Sequence, residues 1–435
     1  MCKSCLASGG RFGRNTISEM LFAFRVNRAG RKEQTTLANS THQRSNPALK
    51  CRYFLVSGNL TAREWFPPQW DESLPTDCRY FGGVFAEMDK LIPEESNQGP
   101  FHVYITYNLR ALPEYGPHVV VLLLAEEYGL VPRYVRHVGA VFKTHRIRPV
   151  LGSRTWWMPD QFHFVLWVKF IRNWMLYLRS LWDSTFVPRE WPHRVNRTVR
   201  VLNVPIGYAR QELLDQKAMQ DRQFHCFFAG QVNLKLPLLR RLTPSPKVLA
   251  RRKMLAVIGK MVKKDRRFRF DGGEAMEPRI TSQVDSDNYS ERMMNSKICV
   301  APRGTAVDTF RFFEGLRAGC LVVCEHLTDE WYYAGAPVLR VKDWADLPEA
   351  IAPYLYDDEA LERARIQSLT WWTEVCGEKA VGRAMAEYLM STGKHFEKRD
   401  ARTIRSREKG SVLRERALEF GARLRRCIGD RLETF

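Results

Sequence analysis

The sequence predicts an α/β protein built on two parallel β-sheets, and three observations lead to this prediction. The chain has 435 residues, which is enough for two domains of ordinary size. Hydrophobic residues make up 45% of it, so two buried cores can form. Short apolar runs alternate with helical patterns along the chain, and strands that alternate with helices form parallel sheets with covered faces.

The first half of the chain contains the strands of the first predicted sheet. A helical pattern at 81–92 separates the first two of them. Glu126 and Glu127 directly follow the third strand, at the carboxyl edge where open α/β sheets bind their ligands. A basic cluster that includes His145 follows the fourth strand. The predicted strands are residues 51–56, 101–107, 118–124, 138–142 and 199–204.

An aromatic and basic helix is predicted at 161–182. Its polar side carries Lys169, Arg172 and Asn173. This composition suits contact with an anionic membrane surface, and the alternative is a helix packed in the core under the first sheet. The apolar residues at helical spacing are Phe164, Trp167, Ile171, Trp174, Leu178 and Leu181.

Residues 295–326 contain the unit around which the second half of the chain is organised. An apolar run at 298–300 predicts a buried strand, and Gly304 lies in the loop that follows it. Asp308 or Thr309 is expected to cap the next helix. The unit is therefore a strand, a glycine-containing loop and a helix, followed by a second buried strand.

The loop and helix of this unit have the chemistry of a nucleotide site. A helix N-terminus offers N–H groups and a positive dipole end to a phosphate, and Gly304 allows a ligand to approach the backbone closely. Arg303 and Arg311 can neutralise a diphosphate. Glu314, one turn into the helix, suits the hydroxyls of a ribose, as acidic residues do in dinucleotide sites. The alternative is an ordinary α/β unit without a ligand, because both share this pattern.

The second predicted sheet begins before this unit and continues after it. A strand at 224–228 is followed by a turn at Gly230 and by a helix that Arg251 and Arg252 open. Gly319 is expected to end the central helix. The remaining predicted elements are strands at 321–323 and 331–341 and helices at 347–355, 358–369 and 381–390.

Five motifs, in this order along the chain, resemble those of the exostosin-like glycosyltransferases. They are NVPIGY at 203–208, FHCFFAGQ at 224–231, YSERMMNSK at 289–297, SKICVAPRGTAVDTFRFFEGLRAGCLVV at 296–323 and LTWWTE at 369–374. The resemblance extends over residues 52–389 and is strongest after residue 203.

The resemblance implies the GT-B fold, in which two Rossmann-like domains with parallel sheets face each other. Residues 51–205 are then expected to form the acceptor domain and 206–392 the nucleotide-sugar donor domain. A basic arm at 1–50 and a charged helical tail at 393–435 flank them. The implied activity is transfer of a sugar from a UDP- or GDP-sugar to a glycan, a polysaccharide or another hydroxyl acceptor, with inversion and without a metal or other cofactor.

The resemblance also implies roles for individual residues. The catalytic base is expected in the first domain, where Glu126 and Glu127 have the best positions and His145 and Asp89 come next. Two adjacent residues of an extended strand point to opposite faces, so at most one of the two glutamates acts. Donor binding is expected from Arg303, Gly304, Thr309, Arg311, Glu314, Gly230 and Arg251, with Arg240, Arg241 and Arg252 as weaker candidates after the FAG turn.

The charge of the chain indicates a polyanionic partner. The net charge is +20 and the pI is about 9.7, which suits a nucleoside diphosphate, an anionic lipid, an acidic polysaccharide or a nucleic acid. The rival hypothesis is a non-catalytic protein of the same fold that binds acidic polysaccharide or nucleic acid. We expect no specific nucleic-acid partner, because the sequence carries no RNA-recognition signature.

The sequence does not predict a metal site. Asp285 and Asp287 form a DxD triplet, which in metal-dependent GT-A transferases binds a divalent cation. Because the triplet precedes a helix expected to begin at Tyr289, Ser286 or Asp287 is interpreted as its N-cap. Without an apolar run of membrane-spanning length, we expect a cytoplasmic or peripheral membrane location, or the Golgi if an anchor precedes this sequence.

Overall fold

The computed structural model describes residues 50–67, 78–93, 100–152, 161–186, 194–195, 199–209, 211–230, 245–272 and 283–394. The predicted arm at 1–50, except for its last residue, lies outside these ranges. So do Arg240, Arg241 and the predicted tail beyond residue 394.

The first sheet has six strands in the order β2-β1-β3-β4-β5-β6. β2 forms an antiparallel edge beside β1, and every other pair is parallel. The strands are β1 (Cys51–Val56), β2 (Ala62–Trp65), β3 (Phe101–Thr106), β4 (Gly116–Leu123), β5 (Val138–Lys143) and β6 (Val201–Asn203), and the helices of this half are α1 (Cys78–Leu91) and α2 (Gln161–Thr185).

The second sheet has five parallel strands in the order β11-β10-β9-β7-β8. The strands are β7 (Phe224–Phe228), β8 (Phe270–Gly272), β9 (Ser296–Ala301), β10 (Leu321–Cys324) and β11 (Leu339–Arg340). The helices are α3 (Pro246–Lys264), α4 (Gln283–Met294), α5 (Phe310–Arg317), α6 (Leu347–Ile351), α7 (Asp358–Trp371) and α8 (Glu378–Lys394).

One hydrophobic core joins the two sheets. Phe81 and Phe85 of α1 pack on the first sheet together with Met385 of α8, and the same cluster continues into the second sheet through Phe313 and Val322. A separate core covers the other face of the first sheet, where Tyr177 of α2 contributes. α8, the last described helix, therefore follows the second sheet in sequence but packs against the first sheet.

The two Rossmann-like sheets, which are parallel except for the edge strand β2, confirm the predicted α/β fold class. Three local predictions are wrong. The helix expected to open at Arg251 and Arg252 already begins at Pro246, because Ser245 caps it there. Within the predicted strand at 331–341, only Leu339–Arg340 forms a strand, because Tyr332 and Tyr333 lie in turns and are buried in the core. The helix expected to begin at Tyr289 already begins at Gln283, so Ser286 and Asp287 lie inside it and do not cap it.

Candidate functional site

The second sheet changes its winding direction between β7 and β9. From β7 the chain adds β8 on one side and then returns to add β9 on the other. In open α/β sheets ligands bind in the crevice outside the carboxyl ends of the strands at such a switch point. Gly230 follows β7 and Arg303 follows β9, so these predicted donor residues border this crevice.

Arg311 connects α5 to the turn after β7. Its Nε donates a hydrogen bond to the carbonyl oxygen of Ala229, and its guanidinium carbon lies 5.1 Å from the ring centroid of Phe228. A Cβ atom at Gly230 would lie 2.5 Å from Arg311 Nη2. The absence of a side chain at Gly230 therefore leaves room for the guanidinium of Arg311 beside this turn.

Two further cations come from the N-terminal half of α3. Ser245 caps this helix, and its side chain accepts a hydrogen bond from the N–H of Val248. Burial, followed by the charges of Arg251 and Arg311, lowers the pKa of Lys247 to about 8. Burial, followed by the charge of Arg311, lowers the pKa of Arg251 to about 9. Cations that are both buried and mutually repelling favour an anionic ligand among them.

Arg303 lies where the two halves of the chain meet. It is buried, and its Nη1 is 3.5 Å from the carbonyl oxygen of Gly152, in the loop after β5. Its Nε makes no hydrogen bond to any residue that the structure describes. Gly152 has φ +72°, and a Cβ atom there would lie 2.5 Å from Arg303 Nη1. The loop after β5, in the first half of the chain, therefore packs tightly against Arg303 of the second half.

Gly304 and Thr309 shape the turn between β9 and α5. Thr309 is the N-cap of α5, although its side chain makes no capping hydrogen bond. A Cβ atom at Gly304 would lie 2.5 Å from the carbonyl oxygen of Asp308, so the loop is tight at this glycine. The structure therefore brings the predicted residues Arg303, Gly304, Thr309, Arg311, Gly230 and Arg251 to one end of the second sheet.

Glu127 is the acidic neighbour of this cationic cluster. It is half-buried, and its charge favours the protonated forms of both Lys169 and Lys247. Lys169 belongs to α2, and its pKa falls to about 8, first through burial and then through the charges of Arg172 and Arg303. Glu127 is therefore close enough to cations of both halves of the chain to stabilise their charges.

His145 and Asp308 join the two halves of the site. His145 follows β5, and its Nδ1 lies 3.1 Å from Asp308 Oδ2. The other oxygen of Asp308 accepts a hydrogen bond of 2.7 Å from the hydroxyl of Tyr333. Burial opposes ionisation of Asp308, but the hydrogen bond and charge of His145 and the hydroxyl of Tyr333 hold its pKa below the usual value. An aspartate bound to Nδ1 orients the ring and leaves Nε2 as the basic nitrogen.

Further contacts hold the carboxyl ends of the two sheets together. Asn203 at the end of β6 donates to Glu330 Oε2 at 3.1 Å, and its carbonyl oxygen accepts a hydrogen bond of 2.9 Å from Trp331 Nε1. Arg146 Nε lies 3.3 Å from Glu330 Oε1. The loops that follow β5 and β6 are therefore fixed against the segment that follows β10.

Glu126 is held in a different environment from Glu127. Its carboxylate is buried, accepts hydrogen bonds of 2.8 Å from the N–H groups of Tyr128 and Leu130, and lies 2.6 Å from Lys143 Nζ. Lys143 also donates to the carbonyl oxygens of Glu126 and His145 at 3.0 and 2.7 Å. This pair shapes the loops after β4 and β5, which favours a structural role for Glu126 over that of a base.

Glu314 and Asp89 also make internal hydrogen bonds. Glu314 is 3% exposed, and its two oxygens accept hydrogen bonds from the N–H of Ala209 at 3.2 Å and from the hydroxyl of Tyr289 at 2.6 Å. Its contact with a ribose therefore requires a rearrangement of these partners. Asp89 accepts a hydrogen bond of 2.8 Å from the hydroxyl of Tyr53. Tyr53 lies in the middle of β1, so Asp89 is held away from the carboxyl end of that strand at Val56.

Sequence reasoning missed several residues of this site. The sequence pattern places Tyr333 in a strand and presents Asp308 only as a helix cap. It places Lys169 on the polar side of its helix and does not distinguish Lys247 from its neighbours. A signal for Asp308 did exist, since an acid in a glycine-containing loop, with one arginine in the loop and another in the helix that follows, is a candidate for site chemistry.

A small cavity of about 80 Å³ opens beside the crevice, between Gly152 and the ends of β10 and β11. Glu325 lines it and accepts a hydrogen bond from Trp344 Nε1. The second carboxylate oxygen of Glu325 has no hydrogen-bond partner among the described residues, and burial raises the pKa of this group. The cavity thus places a carboxylate oxygen of Glu325 close to the indole of Trp344.

Comparisons with known proteins give limited likenesses. No protein-family model matches the chain. A stretch of 82 residues is 32% identical to the Exostosin-1 homolog of Caenorhabditis elegans, which is 17% of this chain and 21% of that protein. The chain therefore matches about a fifth of the length of this curated relative.

Solved structures of glycosyltransferases also resemble the chain at low TM-scores. The GtfA/B complex has a TM-score of 0.34 and 10% identity, over 65% of this chain and 58% of that one. A UDP-forming α,α-trehalose-phosphate synthase from Burkholderia xenovorans has a TM-score of 0.35 and 11% identity, over 75% and 80% of the two chains. At these values the fold assignment rests on the strand order of the two sheets themselves.

Proposed function

We propose that this protein is an exostosin-like glycosyltransferase that moves a sugar from a nucleoside-diphosphate sugar to a hydroxyl group of a glycan or polysaccharide. The observation that carries the proposal is the group of buried and half-buried cations at the switch point of the second sheet. Its members come from the turns and helices that follow β7 and β9 and from α2. The cations are Lys169, Lys247, Arg251, Arg303 and Arg311.

These cations suit a diphosphate that gains charge as it leaves. When the bond between the sugar and the diphosphate breaks, negative charge develops on the leaving oxygen. Fixed positive groups in a water-poor crevice stabilise that charge strongly, because they need no reorganisation at the moment of reaction. Arg311 and Arg303 approach the crevice from α5 and its preceding loop, where the N-terminal dipole of the helix adds to their effect. A divalent metal is then not required for charge relief.

The base that activates the acceptor is His145 in this proposal. The new bond forms between the acceptor oxygen and the anomeric carbon while the bond from that carbon to the diphosphate breaks, which inverts the configuration. The acceptor proton moves to His145 Nε2, and Asp308 holds the ring and stabilises the cation that forms. Glu127 is the second candidate for the base, since it lies beside the same cations.

The 82-residue likeness to the Exostosin-1 homolog supports the exostosin-like assignment. UDP- and GDP-sugars are the donors to test first. The rival hypothesis, a non-catalytic protein that binds acidic polysaccharide or nucleic acid, uses the same positive charge but predicts no preference for a nucleoside diphosphate. Its binding would fall steeply with salt for any polyanion.

A thermal-shift and calorimetric screen against UDP, GDP, CDP and their sugars tests the proposal. One nucleotide is expected to stabilise the full chain in the presence of chelator, by about 2.7 kcal/mol at a concentration of 100 Kd. The same sugar nucleotide is then offered with candidate acceptors, and release of the nucleoside diphosphate is measured. Equal stabilisation by heparin, RNA and every nucleotide, without turnover, would support the non-catalytic alternative instead.

We also propose that α2 places the protein on an anionic membrane surface. Six large apolar side chains form one stripe along this helix, and each is between 52% and 70% exposed. Arg172 and Arg179 are exposed on the flank of the stripe, as in helices that lie in the membrane interface. Within the described residues no helix is long and apolar enough to cross a membrane. The stripe is Phe164, Val168, Ile171, Met175, Leu178 and Trp182.

Charge favours the membrane over other partners for this stripe. A paired second copy of α2 needs opposite charges beside the apolar seam, but α2 carries Lys169, Arg172 and Arg179 against a single acid, Asp183. The segment 395–435 is itself rich in arginine and would bring like charge to the same flank. Anionic lipid supplies the missing negative charge.

A further inference from the structure

Two histidines and a glutamate form a cluster at the amino end of the first sheet. His102 Nδ1 lies 2.7 Å from Glu114 Oε2, and His118 Nε2 lies 2.7 Å from Glu114 Oε1. One donor atom from each residue lies within 4.8 Å of the other two. All three side chains are partly exposed, at 22%, 28% and 36%.

The backbone brings these residues together from three consecutive pieces of chain. His102 is the second residue of β3, Glu114 lies two residues before β4, and His118 is the third residue of β4. β3 and β4 are neighbours in register, with His102 beside Val119. Gly116 has φ +149°, and a Cβ atom there would lie 2.8 Å from the His118 ring. Its missing side chain thus makes room for His118 beside Glu114.

We propose that His102, Glu114 and His118 bind a transition-metal ion, with zinc as the most suitable one. Two imidazole nitrogens and one carboxylate oxygen, completed by water, form a set of ligands that zinc accepts. Zinc ligands of these kinds lie about 2.0–2.2 Å from the ion. Each histidine nitrogen is now 2.7 Å from a carboxylate oxygen, so these atoms must move slightly apart to admit the ion. Partial exposure of the three side chains permits this movement.

The surroundings of the cluster suit a bound cation. Tyr104 donates a hydrogen bond of 2.8 Å to Glu114 Oε2 and would orient the carboxylate. Arg52 is the nearby cation, and it pairs with Glu64 at 3.0 Å.

The proposed metal would act as a structural link. It would tie the connection between β3 and β4 to the two strands at the end of the sheet opposite to the crevice, since the crevice residues follow the carboxyl ends of the strands. We therefore expect zinc to raise the melting temperature without changing sugar transfer. Magnesium and calcium prefer all-oxygen ligands and should have no such effect.

Calorimetric titration of the full chain with zinc tests the proposal. Because Cys2 and Cys5 are thiols that could also bind zinc, both are replaced by serine in every sample. We expect His118→Gln and Glu114→Gln each to lose one equivalent of bound zinc. Tyr104→Phe should weaken the affinity of this site for zinc by roughly 10–100-fold, as is usual when a residue that orients a metal ligand is removed. His225→Gln, a half-buried histidine on β7, is the matched control and should retain it.

A second measurement needs no substitution. Diethyl pyrocarbonate modifies accessible histidines, and mass spectrometry reports each site separately. Zinc should protect His102 and His118 while His225 reacts as before. An unchanged zinc stoichiometry in His118→Gln, or equal modification of His102 and His118 with and without zinc, would overturn the proposal.

Discussion

His145 Nδ1 lies 3.1 Å from Asp308 Oδ2, and this contact spans the two halves of the chain. His145 follows the fifth strand of the first sheet, whereas Asp308 precedes the helix that follows β9 in the second. Both residues are buried. A histidine oriented by a carboxylate at the meeting point of two sheets has the geometry of a general base.

His145→Gln should lower kcat by about 10²–10⁴-fold while leaving nucleotide affinity unchanged, because only proton transfer is lost. Asp308→Asn should give a smaller loss, because the ring of His145 then lacks the carboxylate that orients it. Steady-state kinetics and nucleotide titration separate these effects. His225→Gln is the control, since this histidine lies at the amino end of β7. Full turnover in His145→Gln would transfer the role of base to Glu127.

Removal of crevice cations should weaken donor binding. Arg251→Gln is expected to cost about 1.5–3 kcal/mol of nucleotide affinity, the usual range for a hydrogen bond to a charged group. Lys260→Gln removes the same charge from an exposed position of the same helix and serves as the control. Isothermal titration with the nucleotide measures both. Equal losses for the two variants would indicate a general effect of net charge.

Nucleotide affinity should decrease as the pH rises above about 8. Burial lowers the pKa of Lys247 to about 8, so in the free protein this amine loses its proton more readily than in the unfolded chain. A bound phosphate favours the charged form, so binding takes up protons near this pH. Without nucleotide, stability should instead rise with pH from about 8 to the ordinary lysine pKa, because the unfolded chain then holds more protons.

That pH dependence can be measured by titration calorimetry in buffers of different ionisation enthalpy. The Lys247→Met variant should bind the nucleotide more weakly and show reduced proton uptake. Proton uptake that is identical in the variant and the parent protein would assign the effect to another group.

Glu126 and Lys143 offer a test of structural against catalytic roles. Lys143→Met leaves the buried Glu126 carboxylate without its cation and should cost about 3–5 kcal/mol of unfolding free energy. Glu126→Gln should also lower stability, yet the folded fraction should retain its kcat. Urea unfolding and kinetics on the same samples decide the point. A large loss of kcat in Glu126→Gln with unchanged stability would restore Glu126 as the base.

The exposed stripe of α2 should bind vesicles that contain phosphatidylglycerol. Replacing Ile171, Met175 and Leu178 by Gln is expected to abolish sedimentation with these vesicles. Arg172→Gln with Arg179→Gln should weaken binding by roughly 30-fold, at about 1 kcal/mol for each arginine. Leu213→Gln with Ile366→Gln, two exposed apolar residues elsewhere, is the control. A dimer in solution that the triple variant dissociates would instead identify α2 as a contact between copies.

The sequence by itself determined the α/β class and the order of most elements. Runs such as 224–228 and 298–300 are apolar and bounded by turn residues, so their strand character is a local property. The end of α5 was also predictable, because Gly319 adopts φ +67°, a conformation that favours glycine. The same holds for Arg303, Gly304 and Arg311, whose position around one helix N-terminus follows from their spacing.

The tertiary structure decided which of the predicted residues come together and which already have partners inside the protein. Glu126 and Glu127 are adjacent in sequence, yet one is buried against Lys143 and the other lies beside Lys169 and Lys247. Glu314 lies on a predictable helix, but partners from two other segments bury its carboxylate. Such outcomes depend on contacts between residues far apart in the chain, which no local pattern encodes.

The pairing of His145 with Asp308 has the same origin. The two residues are separated by 163 positions, and each occurs in a segment with several other polar residues. Only the packing of the loop after β5 against the loop before α5 brings them together. The sequence therefore determined which reactive side chains each half of the chain carries. The packing of the two sheets at their carboxyl ends determined which of these side chains form a site.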